Sequence, residues 1–109
     1  MKIEKGKTHR GFSNGTFTDR YGAKCSIQKS SLATEDAIWL GVDDPNPLIM
    51  ASETPAGGTG WVKYHIPENV LLTTRMHLTR KMVKKLIPIL QNFVDTGDLY
   101  AQVHKGETK

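Results

Sequence analysis

Cysteine is almost absent from this sequence: Cys25 stands alone in 109 residues. A single thiol excludes an internal disulfide framework and any zinc site built on several thiolates. It suits a reducing compartment. Long apolar runs are missing too. The longest, Ala37 to Val42, has six residues, where a membrane span needs about 20, so no membrane partner is expected. No apolar stretch follows Met1-Lys2-Ile3, and no signal peptide is expected. Aromatic residues make up only 7%, and none interleaves with the bases of Arg80–Lys85, which ranks a protein partner above single-stranded nucleic acid, whose binders use stacking platforms.

Motifs that carry chemistry are equally sparse. His9, His65, His77 and His104 are scattered, and no His-Glu-x-x-His spacing occurs. His65 and His77 would approach each other only if their strands pair. No nucleophile elbow surrounds a serine. Cys25 falls at an inward position, which suits a small buried hydrophobe better than an activated nucleophile. The loop Gly57-Gly58-Thr59-Gly60 lacks the Gly-Lys-Ser/Thr step into a helix that a phosphate loop requires, and a strand starting at Trp61 follows it. A hairpin loop is the plainer reading. The acidic pairs Glu35-Asp36 and Asp43-Asp44 offer too few oxygens for a metal loop, and turn formation accounts for Asp43-Asp44-Pro45-Asn46. No catalytic residue, metal or cofactor is expected from these patterns.

What is present is a charge pattern. The net charge is +4. Residues 1–31 contribute +5, residues 32–78 contribute −4, and residues 79–109 contribute +3. Basic ends enclose an acidic middle, a mild pointer to anionic partners.

The length fits one domain, residues 1–109. Residues 1–8 are Lys-rich without an apolar period, so they and residues 104–109 are expected to be tails. Asn14-Gly15 is a two-residue hairpin signal, flanked by Phe12 and Phe17, and a second turn is expected at Asp19-Arg20-Tyr21-Gly22. Ala23, Cys25 and Ile27 alternate with Lys24, Ser26 and Gln28, as in a half-buried strand. Ile38–Val42 reads as a central strand, with Leu48–Ala51 and Trp61–Ile66 as further strands. Val70–Leu78 alternates most cleanly, and Leu99–Val103 is a candidate final strand.

At Thr79 the period changes from 2 to about 3.6. Val83, Leu86, Ile87, Leu90, Phe93 and Val94 form one helical stripe, bordered by Met82 and Ile89. Thr79 is placed to cap the start, Gly97 to end the helix, and Pro88 inside it predicts a kink near Lys84. The expected fold is α+β: an antiparallel meander of about five or six strands, covered by one amphipathic helix over about residues 80–95. A second helix for a helix-turn-helix is not expected.

The helix start breaks a local rule. Arg80, Lys81, Lys84 and Lys85 crowd the first two turns, where the helix dipole disfavours cations. The spacings 80/84 and 81/85 also set like charges one turn apart. Such violations gather at functional sites, so the expected partner-binding surface is Arg80, Lys81, Lys84 and Lys85, with Arg75 and His77 beside it. The competing reading is a solvated face balanced by nearby acids.

The stretches Phe17–Ala33, Ile38–Asp44 and Met76–Arg80 resemble a group of short uncharacterised bacteriophage and prophage proteins, a likeness covering roughly residues 11–99. The resemblance brings no catalytic or binding residues. It implies a phage-type accessory protein of the host bacterial cytoplasm, acting by non-catalytic binding to a macromolecule, with inhibition of a host enzyme or defence complex as its sharpest form. An acidic protein surface is the favoured partner, ahead of nucleic acid. Two alternatives stay open: a small nucleotide-binding protein or enzyme using Gly57–Gly60 with Asp43, Asp44 or a histidine, and a homo-oligomeric virion protein whose outer strands pair between chains.

Overall fold

A computed structural model describes residues 1–100 of the chain. Seven short strands and one long helix appear among them: β1 (Glu4–Lys7), β2 (Ser13–Thr18), β3 (Lys24–Lys29), β4 (Ala37–Val42), β5 (Leu48–Met50), β6 (Trp61–Lys63), β7 (Arg75–Thr79) and α1 (Arg80–Thr96). Five strands form one antiparallel sheet in the order β1-β2-β3-β4-β7. The β5–β6 hairpin is a separate two-stranded sheet inserted between β4 and β7. The expected α+β class with one helix after the strands is the class observed.

Several local expectations need correction. Residues 4–7 are the edge strand β1, not part of a tail. Asn14-Gly15 lies within β2 rather than at a turn, paired with Gly6 and Lys5 on one side and with Gln28 and Ile27 on the other. The turn that joins β1 to β2 spans Thr8–Phe12. There Thr8 N–H donates to the Phe12 carbonyl at 2.8 Å, and Gly11 takes φ +85°. Gly15 serves a different need: a Cβ there would meet Ile3 Cγ2 at 3.0 Å and Ile27 Cγ2 at 3.3 Å. Its bareness lets two isoleucines close over β2. The turn at Asp19–Gly22 forms as expected, with Asp19 Oδ1 accepting from the Tyr21 and Ala23 N–H groups at 2.8 and 3.0 Å.

Of the alternating run Val70–Leu78, only the second half pairs. Its partner β4 ends at Val42, so the chain before Arg75 has no ladder to join. The Thr74 hydroxyl instead donates to the Val42 carbonyl at 2.5 Å. The expected strand Trp61–Ile66 pairs only over Trp61–Lys63. Leu99 and Tyr100 are not in a strand, and the rest of that candidate strand, like residues 104–109, lies outside the described residues.

Register divides the sheet into two faces. Ile27, Leu40 and Met76 stand in one row across β3, β4 and β7, and Ile38 and Leu78 stand in the next. These residues make one face apolar. Gln28, Trp39 and His77 share a row on the opposite, polar face.

The helix begins where it should. Thr79 Oγ1 accepts from the Met82 N–H at 3.3 Å, and Gly97, in the left-handed region at φ +80°, returns its N–H to the Phe93 carbonyl. Pro88 sits inside one continuous helix from Arg80 to Thr96. Its seat differs from expectation. β7 ends at Thr79 and α1 begins at Arg80, with no residue between them. α1 packs mainly beside β7, where Val83 and Ile87 adjoin Ile38 and Leu78, instead of covering the sheet. None of its residues is buried, and Ile87, Leu90 and Phe93 are 57%, 57% and 55% exposed. The buried residues among those described are all small: Gly15, Cys25, Ser26, Ser30, Ala37 and Ala51.

Close approach at Gly41 holds β4 against the start of β7. A Cβ there would lie 2.6 Å from the Thr74 carbonyl oxygen and 2.9 Å from Arg75 Cα, both backbone atoms that cannot swing aside. We therefore expect Gly41→Ala to lower stability by about 1–3 kcal/mol, read as a shift in the urea midpoint. A loss under about 0.5 kcal/mol, the range of an inert surface change, would contradict this packing.

Candidate functional site

The structure places Arg80, Lys81, Lys84 and Lys85 on exposed positions of α1. At 3.6 residues per turn Lys81 and Lys85 lie on the side of the helix away from Leu90, while Arg80 and Lys84 flank the stripe beside Val83 and Ile87. No acidic residue lies in the first turn. The nearest compensation comes from outside the helix. Asp36, in the β3–β4 connection, accepts from Lys29 Nζ at 2.9 Å through Oδ1 and faces Arg80 across 3.6 Å through Oδ2. The hydrogen bond from Lys29, then the Lys29 charge, hold the Asp36 carboxyl below the ordinary carboxylate range, with a smaller contribution from Arg80. Lys81, Lys84 and Lys85 have no ion-pair partner among the described residues.

Where α1 leaves the sheet, a groove of about 440 Å³ opens. Its floor is apolar, built from Ile38, Leu78, Val83 and Ile87, and its rim carries Lys29, Asp36, Arg80 and Lys84. Lys29 is a residue the linear sequence does not point to. It belongs here because β3–β4 pairing sets it opposite Ile38, and β4–β7 pairing sets Ile38 opposite Leu78. That row exists only once three strands are in register.

Arg75 and His77 belong to a different surface. The His77 ring stacks on Trp39 with centroids 3.9 Å apart and planes within 5°, and the Arg75 guanidinium lies 5.5 Å from the Trp39 ring. His77 Nε2 and the buried Ser30 hydroxyl are hydrogen-bonded at 2.9 Å. These contacts tie both residues to the polar sheet face rather than to the polar face of α1. They correct the expectation that both would flank the lysines. The stack was hidden in the sequence because Trp39 and His77 are 38 positions apart and meet only through the β4–β7 register.

The alternative constellation does not assemble. Gly57–Gly60 closes the β5–β6 hairpin, with Gly57 N–H donating to the Thr54 carbonyl and Ala51 N–H to the Gly60 carbonyl. Asp43 is engaged locally: its N–H donates to the Lys24 carbonyl at 2.8 Å, and its carboxylate accepts from the buried Ser26 hydroxyl. Asp44 and His65 line an open cavity of about 860 Å³ between the β4–β5 turn and residues 63–72, which the glycine loop does not border. His65 lies past the end of β6, which pairs with β5, and His77 lies on β7, which pairs with β4, so strand pairing does not bring them together. Among the described residues, no three His, Cys, Asp or Glu side chains converge as a metal site, and no helix is long and apolar enough to cross a membrane.

Protein-family models, curated proteins and solved structures were all compared with the chain, and none matches it.

Cys25 is 5% exposed. Desolvation, reinforced by the charges of Asp19 and Asp43, pushes its thiol above the ordinary value. A protonated, enclosed thiol is a poor nucleophile. Modification by a disulfide reagent at neutral pH should therefore be slow in the native protein and fast in urea. Immediate stoichiometric reaction of the folded protein would refute the burial.

Proposed function

We propose that this chain is a small, non-catalytic binding protein of the phage accessory type, and that it grips an acidic protein surface with the polar face of α1. The observation that carries the reading is the run Lys81, Lys84 and Lys85: three exposed cations on one helix, each without an ion pair among the described residues. Cations on the first two turns oppose the helix dipole. Repulsion between them is screened over about 8–10 Å at physiological salt and is relieved by an anionic partner. Lys29 and Arg80, on the groove rim, extend the same positive surface beside an apolar floor. That combination suits a protein partner, for which rim charges steer association and apolar contacts set dissociation. In its sharpest form the partner is a host enzyme or defence complex, and binding inhibits it.

The test uses the purified chain as bait in a nuclease-treated bacterial lysate, followed by affinity measurement on the captured protein. Lys81→Glu with Lys85→Glu should preserve the fold, remove part of the conflict with the helix dipole, and weaken binding at least tenfold. Affinity unchanged within about twofold, below about 0.5 kcal/mol, would make the cluster a solvated face and end the proposal. Capture that vanishes on nuclease treatment and falls steeply with salt would identify nucleic acid as the partner instead.

A further inference from the structure

The groove beside β7 and the basic side of α1 are continuous. Going round the helix from the groove, Ile87, Arg80, Lys84, Lys81 and Lys85 follow one another over roughly 160° at helical spacing. Arg80 and Lys84 form the lip between the two regions, since both also line the groove. A carboxylate engaged by Lys81 and Lys84 therefore stands next to the apolar floor.

The rim is unbalanced in charge. Lys29, Arg80 and Lys84 face a single acid, Asp36, among the lining residues. Asp36 is already held by Lys29 at 2.9 Å and by Arg80 at 3.6 Å, and Lys84 has no ion pair among the described residues. A wholly apolar occupant would take these cations out of water without pairing them. A simple anion would leave the floor in water. The groove thus complements a group that is apolar at its base and anionic at its edge.

The floor is formed in the free chain. Strand pairing sets Ile38 opposite Leu78, and Ile38, Leu78 and Val83 are half-buried. Ile87, on the helix wall, is 57% exposed and leaves the groove open. Pockets for free small molecules bury about 70–90% of their ligand, which a groove open on this side does not do. A side chain carried on a protein body brings its own cover, as anchor residues at protein interfaces do.

We propose that this groove is the anchor pocket of the acidic-partner site: a large aliphatic side chain of the partner enters it, and carboxylates adjoining that side chain pair with Lys84 and Arg80. The inference rests on the acidic-protein reading above and adds the character of the segment that is recognised. That segment is an apolar residue flanked by acids, not an acidic stretch alone. Charge sets the rate of association, and the anchor sets the rate of release.

The test uses two synthetic acidic peptides that differ only at one central residue, leucine in one and alanine in the other. Each is titrated into the isotopically labelled full chain and followed by NMR. The leucine peptide should bind about five- to twentyfold tighter than the alanine peptide, and it should shift the methyl signals of Ile38, Leu78, Val83 and Ile87. Ile87→Ala, at an exposed position that keeps the fold, should cut that preference to about threefold or less. Lys81→Glu with Lys85→Glu should weaken both peptides by the same factor and leave their ratio unchanged. Equal affinities that the lysine reversal still weakens would overturn the anchor pocket and leave the acidic-surface reading standing. A leucine preference untouched by the lysine reversal would keep the pocket and remove the basic face from the site. Leucine-dependent shifts away from the groove, or binding of neither peptide at millimolar concentration, would also overturn the anchor pocket.

Discussion

The direct step from strand to helix at Thr79-Arg80 governs this structure. A strand held in a sheet fixes the direction of its last residue, and a helix starting on the next residue inherits that direction. Thr79 serves both elements: it pairs with Ala37 at the end of the ladder, and its hydroxyl caps the Met82 N–H. An amphipathic helix and a one-sided sheet, which ordinarily cover each other in an α+β domain, are both present here and meet along the groove of Ile38, Leu78, Val83 and Ile87.

The sheet shows how little of the burial occurs within one chain. Its polar face is consolidated by specific contacts, with His77 sandwiched against Trp39, Arg75 beside the same ring, and Ser30 holding His77. Its apolar face is only aligned. Ile27, Leu40 and Met76 sit in one row, yet Ile27 and Met76 remain exposed. The protected centre is small side chains, Cys25, Ser26 and Ala37, in the strands themselves. Small side chains bury little area, and at about 25 cal/mol per Å² of apolar surface they contribute little of what ordering the backbone costs. The hydrophobic term is therefore small for a chain of this length, because the larger apolar side chains stay largely exposed.

Elements governed by local rules were legible in the sequence. The helix bounds follow from Thr79, Gly97 and the 3.6 period; the turn at Asp19–Gly22 follows from its Asp and Gly; β4 follows from its continuous apolar run. Properties set by pairing were not. Asn14-Gly15 carries strong turn chemistry, but residues 4–7 are available to pair with β2, and Gly15 fits between Ile3 and Ile27. A tertiary fit thus outweighed a local preference. The alternation through Val70–Thr74 has no ladder because β4 ends first. The basic cluster on α1 was visible as a broken helix rule, whereas Lys29, Asp36 and the groove floor join it only through strand register.

The helix start brings these threads together. Four bases at a helix N-terminus destabilise it in isolation, and the stripe that would anchor the helix is uncovered within the chain. Only Arg80 has an acid close by, and Asp36 is shared with Lys29 at a shorter distance. Both costs fall on the same seventeen residues. Apolar cover would stabilise the stripe side of α1, and negative charge would stabilise the side that carries Lys81 and Lys85. Because Lys81 lies opposite Leu90 and Lys85 one turn beyond it, charge on that side leaves the stripe untouched.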